Sequence, residues 1–472
     1  MINATRKTTS QSKVVVPGAQ RSYNEVVEYL DSHWSTSPDK NLTHVKKLDK
    51  ALGNPSKNIN AVAIAGTNGK GLTINFAATL LRSEGLSVGT FYSPHILTYN
   101  EQFAINHESI ANKVFTELAN ELINIAQAEG IKASTQDILT VMALMYFKQN
   151  NVDVALLELR DGALDPFTIC NLKVLAITRV TDDSLAMPTQ PLDKIIKDVL
   201  VHVKSETHVV SADQSKANLQ LMLDETKRHG GTWAMPIRKL AALNYPFEQL
   251  HGRCAALAER ICQIYIESFY RQQMDSVENS LLAKQKGQRG RPTLEAKRQA
   301  ELNPKKTLEQ FWKETATSLP AHFQILDKEK PTILLDNARN IDALKNLLLG
   351  IRLMHYQKPL KGLTFIFGCD KNLMNAEEFL KLLRYFAKKN SANIIFCPIS
   401  RSVAGIREQS WDVEQITNDV KSLKIKARSA QNFQEAFEAA KQSVDERHGL
   451  VVITGSQSII ADYWHYKGMK KL

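Results

Sequence analysis

Apolar and polar residues alternate along most of the chain in two recurring patterns. Short, almost wholly apolar runs predict buried strands of a parallel sheet, and longer runs with apolar residues at three- and four-residue spacing predict helices. In the first half of the chain the predicted helices are Tyr23–Ser32, Leu42–Leu52, Ile110–Gly130 and Asp137–Phe147, and the predicted strands are Ser87–Phe91, Val152–Leu157 and Val174–Thr178. Strands that alternate with helices are typical of a doubly wound α/β domain.

A second α/β pattern begins at Pro331. Its predicted strands are Thr332–Leu335, Leu363–Phe367, Asn393–Phe396 and Leu450–Thr454, with helical segments between them. A chain of 472 residues exceeds the size of a single hydrophobic core. We therefore predict a flexible lead-in over residues 1–22, a first domain over 23–318 and a smaller C-terminal domain over 319–472.

The composition shifts within a segment near this boundary, about residues 275–311. Lys284–Lys306 holds eight lysines and arginines against two glutamates, and glycines and prolines interrupt it. We predict an exposed basic insertion. The tetrapeptide Arg289–Pro292 (RGRP) is also the core of a minor-groove hook, so a nucleic-acid role is a weaker alternative. Because so short a motif often occurs by chance, we expect no nucleic-acid partner.

Bulk composition narrows the class of protein. Apolar residues make up 43% and charged residues 23% of the chain, which is typical of a soluble globular protein, and the sequence contains no apolar run long enough to span a bilayer. Five scattered cysteines favour a cytoplasmic protein with free thiols. The net charge of +11 favours acidic partners, such as nucleotides, folate-like polyanions or nucleic acid. Residues 1–24 carry four basic and no acidic side chains, and we prefer a disordered lead-in to a targeting segment there.

The stretch Ala61–Thr73 (AVAIAGTNGKGLT) combines both patterns. A short apolar strand begins at Ala61, a helical run follows Leu72, and three glycines surround Lys70 between them. A strand, a glycine-rich turn and a helix form a geometry that binds phosphate, because the backbone amides approach the anion closely. The full Walker A pattern would place a glycine at Ile64 and a hydroxyl at Leu72. A glycine-rich turn without a ligand is therefore the alternative.

Three motifs in order carry a family resemblance. The segment Gly66–Gly71 (GTNGKG), preceded by Leu52–Pro55, resembles the ATP-binding loop of the Mur ligase superfamily. Tyr92–Ile96 (YSPHI) and Asn100–Glu101 resemble two further segments of the folylpolyglutamate synthase/dihydrofolate synthase family. The resemblance runs from about Ser22 to the C-terminus, with one insertion. It implies a P-loop ATPase domain with a parallel sheet, followed by a smaller Rossmann-like α/β domain.

The resemblance also implies an activity. Members of this family are ATP- and Mg²⁺-dependent ligases that phosphorylate a folate- or pteroate-type acid and join glutamate to the resulting acyl phosphate. We therefore expect a monomeric cytoplasmic enzyme with ATP and Mg²⁺ as cofactors. The catalytic residues that the resemblance implies are Lys70, Glu158 and His95, and the nucleotide-binding residues are Gly66, Thr67, Asn68, Gly69, Lys70, Gly71, Thr73, Asp336, Arg339 and Asn340.

Glu158 corresponds to a magnesium ligand of the family. It follows the predicted strand Val152–Leu157, so its carboxylate lies at the carboxyl edge of the sheet, beside the phosphate loop. Magnesium prefers such hard oxygen ligands. The family's glycine-rich segment after this glutamate is shortened here to Leu159–Asp165, and a solvated acid at the end of a strand is the alternative.

The family's other metal ligands are replaced. Its loop serine corresponds to Leu72, and the neighbouring Thr73 is our substitute. Thr181–Ser184 replaces a segment that holds the family's histidine ligand, and there we assign Asp183. The family's carbamylated lysine corresponds to Val199, which cannot bind a metal.

The C-terminal motifs are altered in a similar way. Asp336–Asn340 (DNARN) keeps the acid and the asparagine of the family motif, with Arg339 in place of a histidine. Pro320–Phe323 (PAHF) has His322 where the family has an arginine that contacts phosphate. His251–Cys254 lacks the asparagine that meets adenine in the family. A divergent paralogue that binds nucleotide but has impaired or redirected ligase chemistry is therefore the alternative to an active ligase.

Overall fold

The computed structural model describes residues 18–34, 42–160, 165–181, 191–234, 248–270, 319–372, 374–399 and 409–472. In the first part of the chain the helices are α1 (Tyr23–Ser32), α2 (Thr43–Ala51), α3 (Lys70–Ser83), α4 (Asn112–Ala128), α5 (Thr135–Gln149), α6 (Leu192–Leu200), α7 (Lys216–Arg228) and α8 (Glu248–Tyr265). The strands are β1 (Ala61–Ala65), β2 (Val88–Phe91), β3 (Phe103–Ile105), β4 (Glu108–Ser109), β5 (Val154–Glu158), β6 (Leu172–Ile177), β7 (His208–Ser211) and β8 (Thr232–Trp233).

These strands form one sheet in the order β4-β3-β2-β5-β1-β6-β7-β8. The strands from β2 to β8 in this order run parallel, and β3 and β4 are added antiparallel at one edge. All five residues of the central strand β1 are buried. Its alternate residues enter two different cores, because α4 and α5 cover one face of the sheet and α3 and α8 cover the other. This double coverage explains why the strand is continuously apolar.

The second sheet is built from the C-terminal residues. Its strands are β9 (Gln324–Leu326), β10 (Thr332–Asp336), β11 (Leu363–Phe367), β12 (Asn393–Phe396), β13 (Lys426–Ser429) and β14 (Leu450–Thr454). Their order is β13-β12-β11-β14-β10-β9, and β9 alone among these six pairs antiparallel. The helices are α9 (Ile341–Gln357), α10 (Ala376–Ala387), α11 (Val413–Ser422), α12 (Phe433–Gln442) and α13 (Gln457–Tyr466). The α/β class with two mostly parallel sheets is therefore confirmed.

Several strands were not expected from the sequence. The edge strand β13 contains Lys426 and Arg428 and is mostly exposed, so it has no apolar run. Polar side chains are usual on such an edge, where they discourage pairing with another chain. Strands β3, β4 and β9 are only two or three residues long, which is too short for an alternating pattern to be recognised. The sequence analysis also does not predict strand β7.

Three sequence predictions fall wholly or largely outside the described residues. The basic insertion at 275–311 lies within the undescribed segment 271–318, as does the residue before the proposed boundary at 318/319. Most of the lead-in, residues 1–17, is also undescribed. The domain limits therefore stay a prediction, although the strands between 61 and 233 and those between 324 and 454 belong to separate sheets.

Candidate active site

The loop between β1 and α3 has the backbone shape expected of a phosphate-binding turn. Gly66 and Gly69 have φ angles of +123° and +88°, which strain any residue with a Cβ. A Cβ on Gly66 would lie 2.1 Å from Thr178 Oγ1, and a Cβ on Gly69 would lie 2.8 Å from Cys254 Sγ. Helix α3 begins at Lys70, and no side chain of the described residues caps its N-terminus. The first-turn amides therefore remain open to an anion, so the loop fits a phosphate group.

Two residues shortly after strand β6, Arg179 and Thr181, hold the loop in place. The Thr67 amide donates to the Arg179 carbonyl at 2.7 Å. The Thr67 hydroxyl donates to the Thr181 carbonyl at 3.1 Å and accepts from the Thr181 amide at 2.9 Å. Because β1 and β6 are neighbours in the sheet, their carboxyl ends meet at one edge, where ligands bind in open α/β sheets.

Lys70 and Glu158 form a buried pair under the loop. Lys70 Nζ donates to the Gly66 carbonyl at 2.9 Å and lies 3.6 Å from Glu158 Oε1, and both side chains are at most 10% exposed. Glu158 ends β5, where it is paired in register with Ile64 of β1. Its other oxygen, Oε2, accepts from the Ser93 amide at 3.2 Å. Burial lowers the pKa of Lys70, while the Glu158 charge opposes that shift.

The positions of the family's missing metal ligands are used for packing. Leu72 is buried in the core under α3 and α8, and Val199 is buried in the core on the other face of the sheet. Thr73 is fully buried and its hydroxyl donates to the Gly69 carbonyl at 2.8 Å. Asp183 lies outside the described residues. Among the described residues, no group of three or more His, Cys, Asp or Glu side chains is arranged to hold a metal ion.

His95 lies in the loop that follows β2. Its Nδ1 lies 3.0 Å from Gln102 Nε2, and its ring is 4.4 Å from the Tyr99 ring. Burial lowers the pKa of His95 to about 4, so the imidazole is neutral at pH 7. Gln457, at the start of α13, donates to the carbonyls of Pro94 and His95 at 3.1 and 3.0 Å. His95 therefore lies where the loop after β2 contacts the C-terminal helix α13. Its catalytic role stays a prediction.

Asp336 and Arg339 bring groups from the second sheet. Asp336 ends β10 and accepts from the Phe323 amide at 2.8 Å. Burial raises the pKa of Asp336 to about 7, and the amides of Phe323 and Ala338 oppose the shift. The positive charge of Arg339 acts on Lys70, whose pKa it lowers further. The Asp336 carboxyl group and the Arg339 cation, both from the C-terminal residues, therefore lie near the phosphate loop.

A hydrogen-bonded clasp joins the phosphate loop to the start of α9. Asn68 Nδ2 donates to Asn340 Oδ1 at 3.1 Å and to Asp342 Oδ2 at 2.9 Å, and Asn340 Nδ2 donates back to Asn68 Oδ1 at 3.0 Å. Asp342 also accepts from Arg179. Asn340 caps α9 by accepting from the Ala343 amide at 2.9 Å. Neither Asp342 nor Arg179 could be predicted from the sequence, because neither belongs to a recognisable motif.

These groups surround one cleft of about 830 Å³. Residues of both sheets line it, and among them are most of the predicted site residues: Thr67, Asn68, Gly69, Lys70, Gly71, Thr73, His95, Glu158, Asp336 and Arg339. Gly66 and Asn340 do not line the cleft but contact residues that do. The arrangement can hold a polyphosphate between an open helix N-terminus and cations from two sides.

Comparison with known proteins agrees with this geometry. The sequence profile of the Mur ligase glutamate ligase domain matches residues 323–457. The dihydrofolate synthase/folylpolyglutamate synthase of Bacillus subtilis is 23% identical over 456 residues, which cover 93% of this chain and 98% of that protein. The probable dihydrofolate synthetase of Schizosaccharomyces pombe is 30% identical over 40% of this chain and 46% of that protein. The predicted resemblance to the folylpolyglutamate synthase/dihydrofolate synthase family of the Mur ligase superfamily is therefore confirmed.

Solved structures of this family share the fold. Mycobacterium tuberculosis folylpolyglutamate synthase, complexed with ADP, is 18% identical and aligns with a TM-score of 0.74 over 95% of this chain and 99% of that chain. The bifunctional folylpolyglutamate synthase/dihydrofolate synthase of Yersinia pestis, complexed with AMPPNP and a Mn ion, is 20% identical, with a TM-score of 0.73 over 96% and 100% of the two chains. The predicted Mur-ligase-like fold is therefore confirmed. Among the described residues, no helix is long and apolar enough to cross a membrane.

Proposed function

We propose that this family member is an ATP-dependent amide ligase that adds glutamate to a folate- or pteroate-type acid. The observation that carries the proposal is the buried Lys70–Glu158 pair beneath an open helix N-terminus, in a cleft that both sheets line. The named activities of the family's relatives agree with it. We also propose that the protein is a cytoplasmic monomer.

The reaction would proceed through an acyl phosphate. The γ-phosphoryl group of ATP passes to the carboxylate of the acid, and the glutamate amine then attacks the carbonyl and releases phosphate. Phosphoryl transfer depends mainly on positioning and charge neutralisation. The α3 amides and Lys70 would hold the phosphates, with Arg339 adding positive charge from the other side of the cleft. Bound Mg²⁺ would neutralise charge on the phosphates, with Glu158 as a protein ligand.

Asp336, at the end of β10, would meet the rest of the nucleotide directly, and Asn340 would act indirectly. Asp336 lines the cleft, and because its pKa is raised to about 7 it can donate a hydrogen bond when protonated or accept one when ionised. Asn340 would act through Asn68, which it holds from the start of α9. Enclosing the acyl phosphate between the two sheets would protect it from water.

One observation favours a second candidate function. Leu72 and Val199 are buried among apolar side chains, so in the described part of the chain these two core clusters offer no polar group in place of the lost ligand. A paralogue that binds nucleotide without ligating glutamate to folate would retain Lys70 and Glu158 and tolerate these changes. The weaker nucleic-acid alternative rests on the basic insertion, outside the described residues.

ATP turnover by the purified protein separates these candidates. The assay contains Mg²⁺, glutamate and either dihydropteroate or tetrahydrofolate, and it compares the wild type with Lys70→Ala. Lys57→Ala is the matched control, since Lys57 is exposed in the short helical turn Pro55–Asn58. Acid-dependent turnover that Lys70→Ala abolishes and Lys57→Ala retains supports the ligase. Nucleotide-dependent thermal stabilisation without turnover supports the paralogue, and no response to nucleotide refutes both.

A further inference from the structure

His322 enters the cleft from the chain that leads into β9. Three groups lie near the point that a Cβ on Gly71 would occupy: His322 Nε2 at 3.7 Å, Tyr92 Cδ1 at 3.8 Å and Glu158 Oε2 at 3.9 Å. The imidazole therefore faces the first turn of α3 together with the predicted metal-binding carboxylate. Lys70 and Arg339 are the charged groups that act on it besides Glu158.

The other ring nitrogen of His322 fixes its tautomer. Nδ1 lies 2.8 Å from the Pro320 carbonyl oxygen, which can only accept a hydrogen bond. Nδ1 therefore carries the proton, and Nε2 presents a lone pair to the cleft. Histidines that bind metals typically have this arrangement, in which the second ring nitrogen donates to a backbone carbonyl or a carboxylate and orients the ring.

Glu158 presents an acceptor to the same space. Its Oε1 lies toward Lys70, at 3.6 Å, whereas Oε2 accepts one hydrogen bond from the Ser93 amide at 3.2 Å. A carboxylate oxygen accepts more than one bond, so Oε2 retains a lone pair. His322 Nε2 and Glu158 Oε2 both lie within 3.9 Å of the same point, so a cation placed between them would receive a lone pair from each. An arginine, which the family has at this position, would instead donate hydrogen bonds to phosphate.

We propose that His322 Nε2 is a second protein ligand, with Glu158, for the divalent cation that accompanies the nucleotide. This inference rests on the proposed function and adds a donor from the C-terminal sheet to the metal site. It accounts for the replacement of the family's ligands at Leu72 and Val199 by core residues. Two protein ligands suffice when phosphate oxygens and water complete the coordination of the ion.

The change of donor has a consequence for metal preference. An imidazole nitrogen is a softer ligand than a hydroxyl or carboxylate oxygen, and it suits transition metals such as Zn²⁺, Fe²⁺ and Ni²⁺ better than Mg²⁺. Mn²⁺ lies at the hard end of this transition-metal series, so its advantage over Mg²⁺ should be modest. We therefore expect Mn²⁺ to bind the nucleotide complex more tightly than Mg²⁺. In a His322→Arg variant, which has the family's residue, this preference should be smaller.

Pulsed electron paramagnetic resonance of Mn²⁺ tests the inference without an activity readout. The probe is Mn²⁺ with AMPPCP, whose phosphate chain contains no nitrogen, bound to the full-length protein. We expect a nitrogen coupling to Mn²⁺ that changes from ¹⁴N to ¹⁵N when the protein's histidines are labelled with ¹⁵N. His322→Gln should abolish the coupling and weaken Mn²⁺ binding roughly tenfold or more. His107→Gln is the control, because His107 lines the same cleft but its Nε2 lies 3.1 Å from Thr79 Oγ1.

The outcomes separate this inference from the proposed function. Binding of Mn²⁺ with AMPPCP but without a histidine coupling would overturn the His322 assignment and leave the ligase proposal standing. A coupling that persists in His322→Gln or His322→Arg would assign it to another histidine and also overturn the inference. Failure of the wild type to bind Mn²⁺ with AMPPCP would refute the proposed function together with this inference.

Discussion

Replacing Asp342 should release the phosphate loop from the C-terminal sheet. The Asp342 side chain is 5% exposed, accepts from Asn68 at 2.9 Å and pairs with Arg179. A hydrogen bond to a charged group contributes about 1.5–3 kcal/mol. The Arg179 side chain is 46% exposed, so its pair adds only about 0–1 kcal/mol. Asp342→Ala should therefore weaken the clasp by about 2–3 kcal/mol, or roughly 30- to 150-fold in its equilibrium constant.

The Thr67 amide is a suitable reporter, because its hydrogen bond to the Arg179 carbonyl measures 2.7 Å. Hydrogen exchange of a peptide that contains this amide should accelerate in Asp342→Ala by up to the same factor. Asp342→Asn retains an acceptor oxygen for Asn68 and loses mainly the charge. We expect it to cost about 1 kcal/mol, which corresponds to roughly fivefold faster exchange.

Asp412→Ala is the control for general destabilisation. Asp412 caps α11 by accepting from the amides of Glu414 and Gln415, and its loss should also cost about 1 kcal/mol. It has no contact with the phosphate loop among its hydrogen bonds. The reasoning is refuted if Asp342→Ala leaves exchange at Thr67 unchanged, or if Asp412→Ala accelerates it equally.

Three further predictions concern the loop glycines and two titrating groups. Gly66→Ala should abolish nucleotide binding, measured by calorimetry, because the new Cβ would lie 2.1 Å from Thr178 Oγ1. Gly71→Ala is the control: its Cβ would lie 3.7 Å or more from the neighbouring described atoms, so the variant should fold and bind nucleotide with at most a severalfold loss of affinity. The pKa of Asp336 is raised to about 7, so the contribution of its protonated form to stability is complete below about pH 4 and is lost as pH rises through 7. The Asp336→Asn variant should therefore gain stability relative to the wild type between pH 5 and 8, as measured by urea unfolding midpoints. The pKa of His95 is lowered to about 4, so the contribution of the neutral ring to stability is present above pH 6.5 and is lost as pH falls to 4. The urea midpoint of His95→Gln should therefore depend less on pH over that range. A pH profile identical to that of the wild type would contradict the lowered pKa.

The elements that carry the site could be predicted from the sequence because their signals are local. Strand β1 is apolar at every position since both faces are covered, and the glycines mark a turn with positive φ angles. Helix bounds differed slightly, as for α4, which spans Asn112–Ala128 rather than Ile110–Gly130. The prediction failed for edge strands such as β13, whose exposed side chains are polar.

The contacts between the two sheets could not be predicted, because they join residues far apart in sequence. Asn68 and Asp342 are 274 positions apart, and Arg179 and Asp342 are 163 apart. Neither pair belongs to a motif with a fixed spacing. The only sequence signal for His322 is its difference from the arginine of the family that the chain resembles. Its tautomer depends on a hydrogen bond to the Pro320 carbonyl, which no sequence pattern indicates.

The differences between this chain and the family that it resembles follow the division between the two sheets. On the nucleotide-binding side, the positions of two metal ligands have become core residues, Leu72 and Val199, while Lys70 and Glu158 remain as a buried pair. A single carboxylate holds a divalent ion only together with phosphate oxygens and water, and a second protein ligand would strengthen the site. If His322 is a metal ligand, metal binding requires that the C-terminal residues stay in contact with the phosphate loop. The hydrogen bonds of Asn68 to Asn340 and Asp342 require the same contact. The same contact would then set both the loop and the metal, so loss of the Asn68–Asp342 clasp should weaken Mn²⁺ binding as well as loop protection.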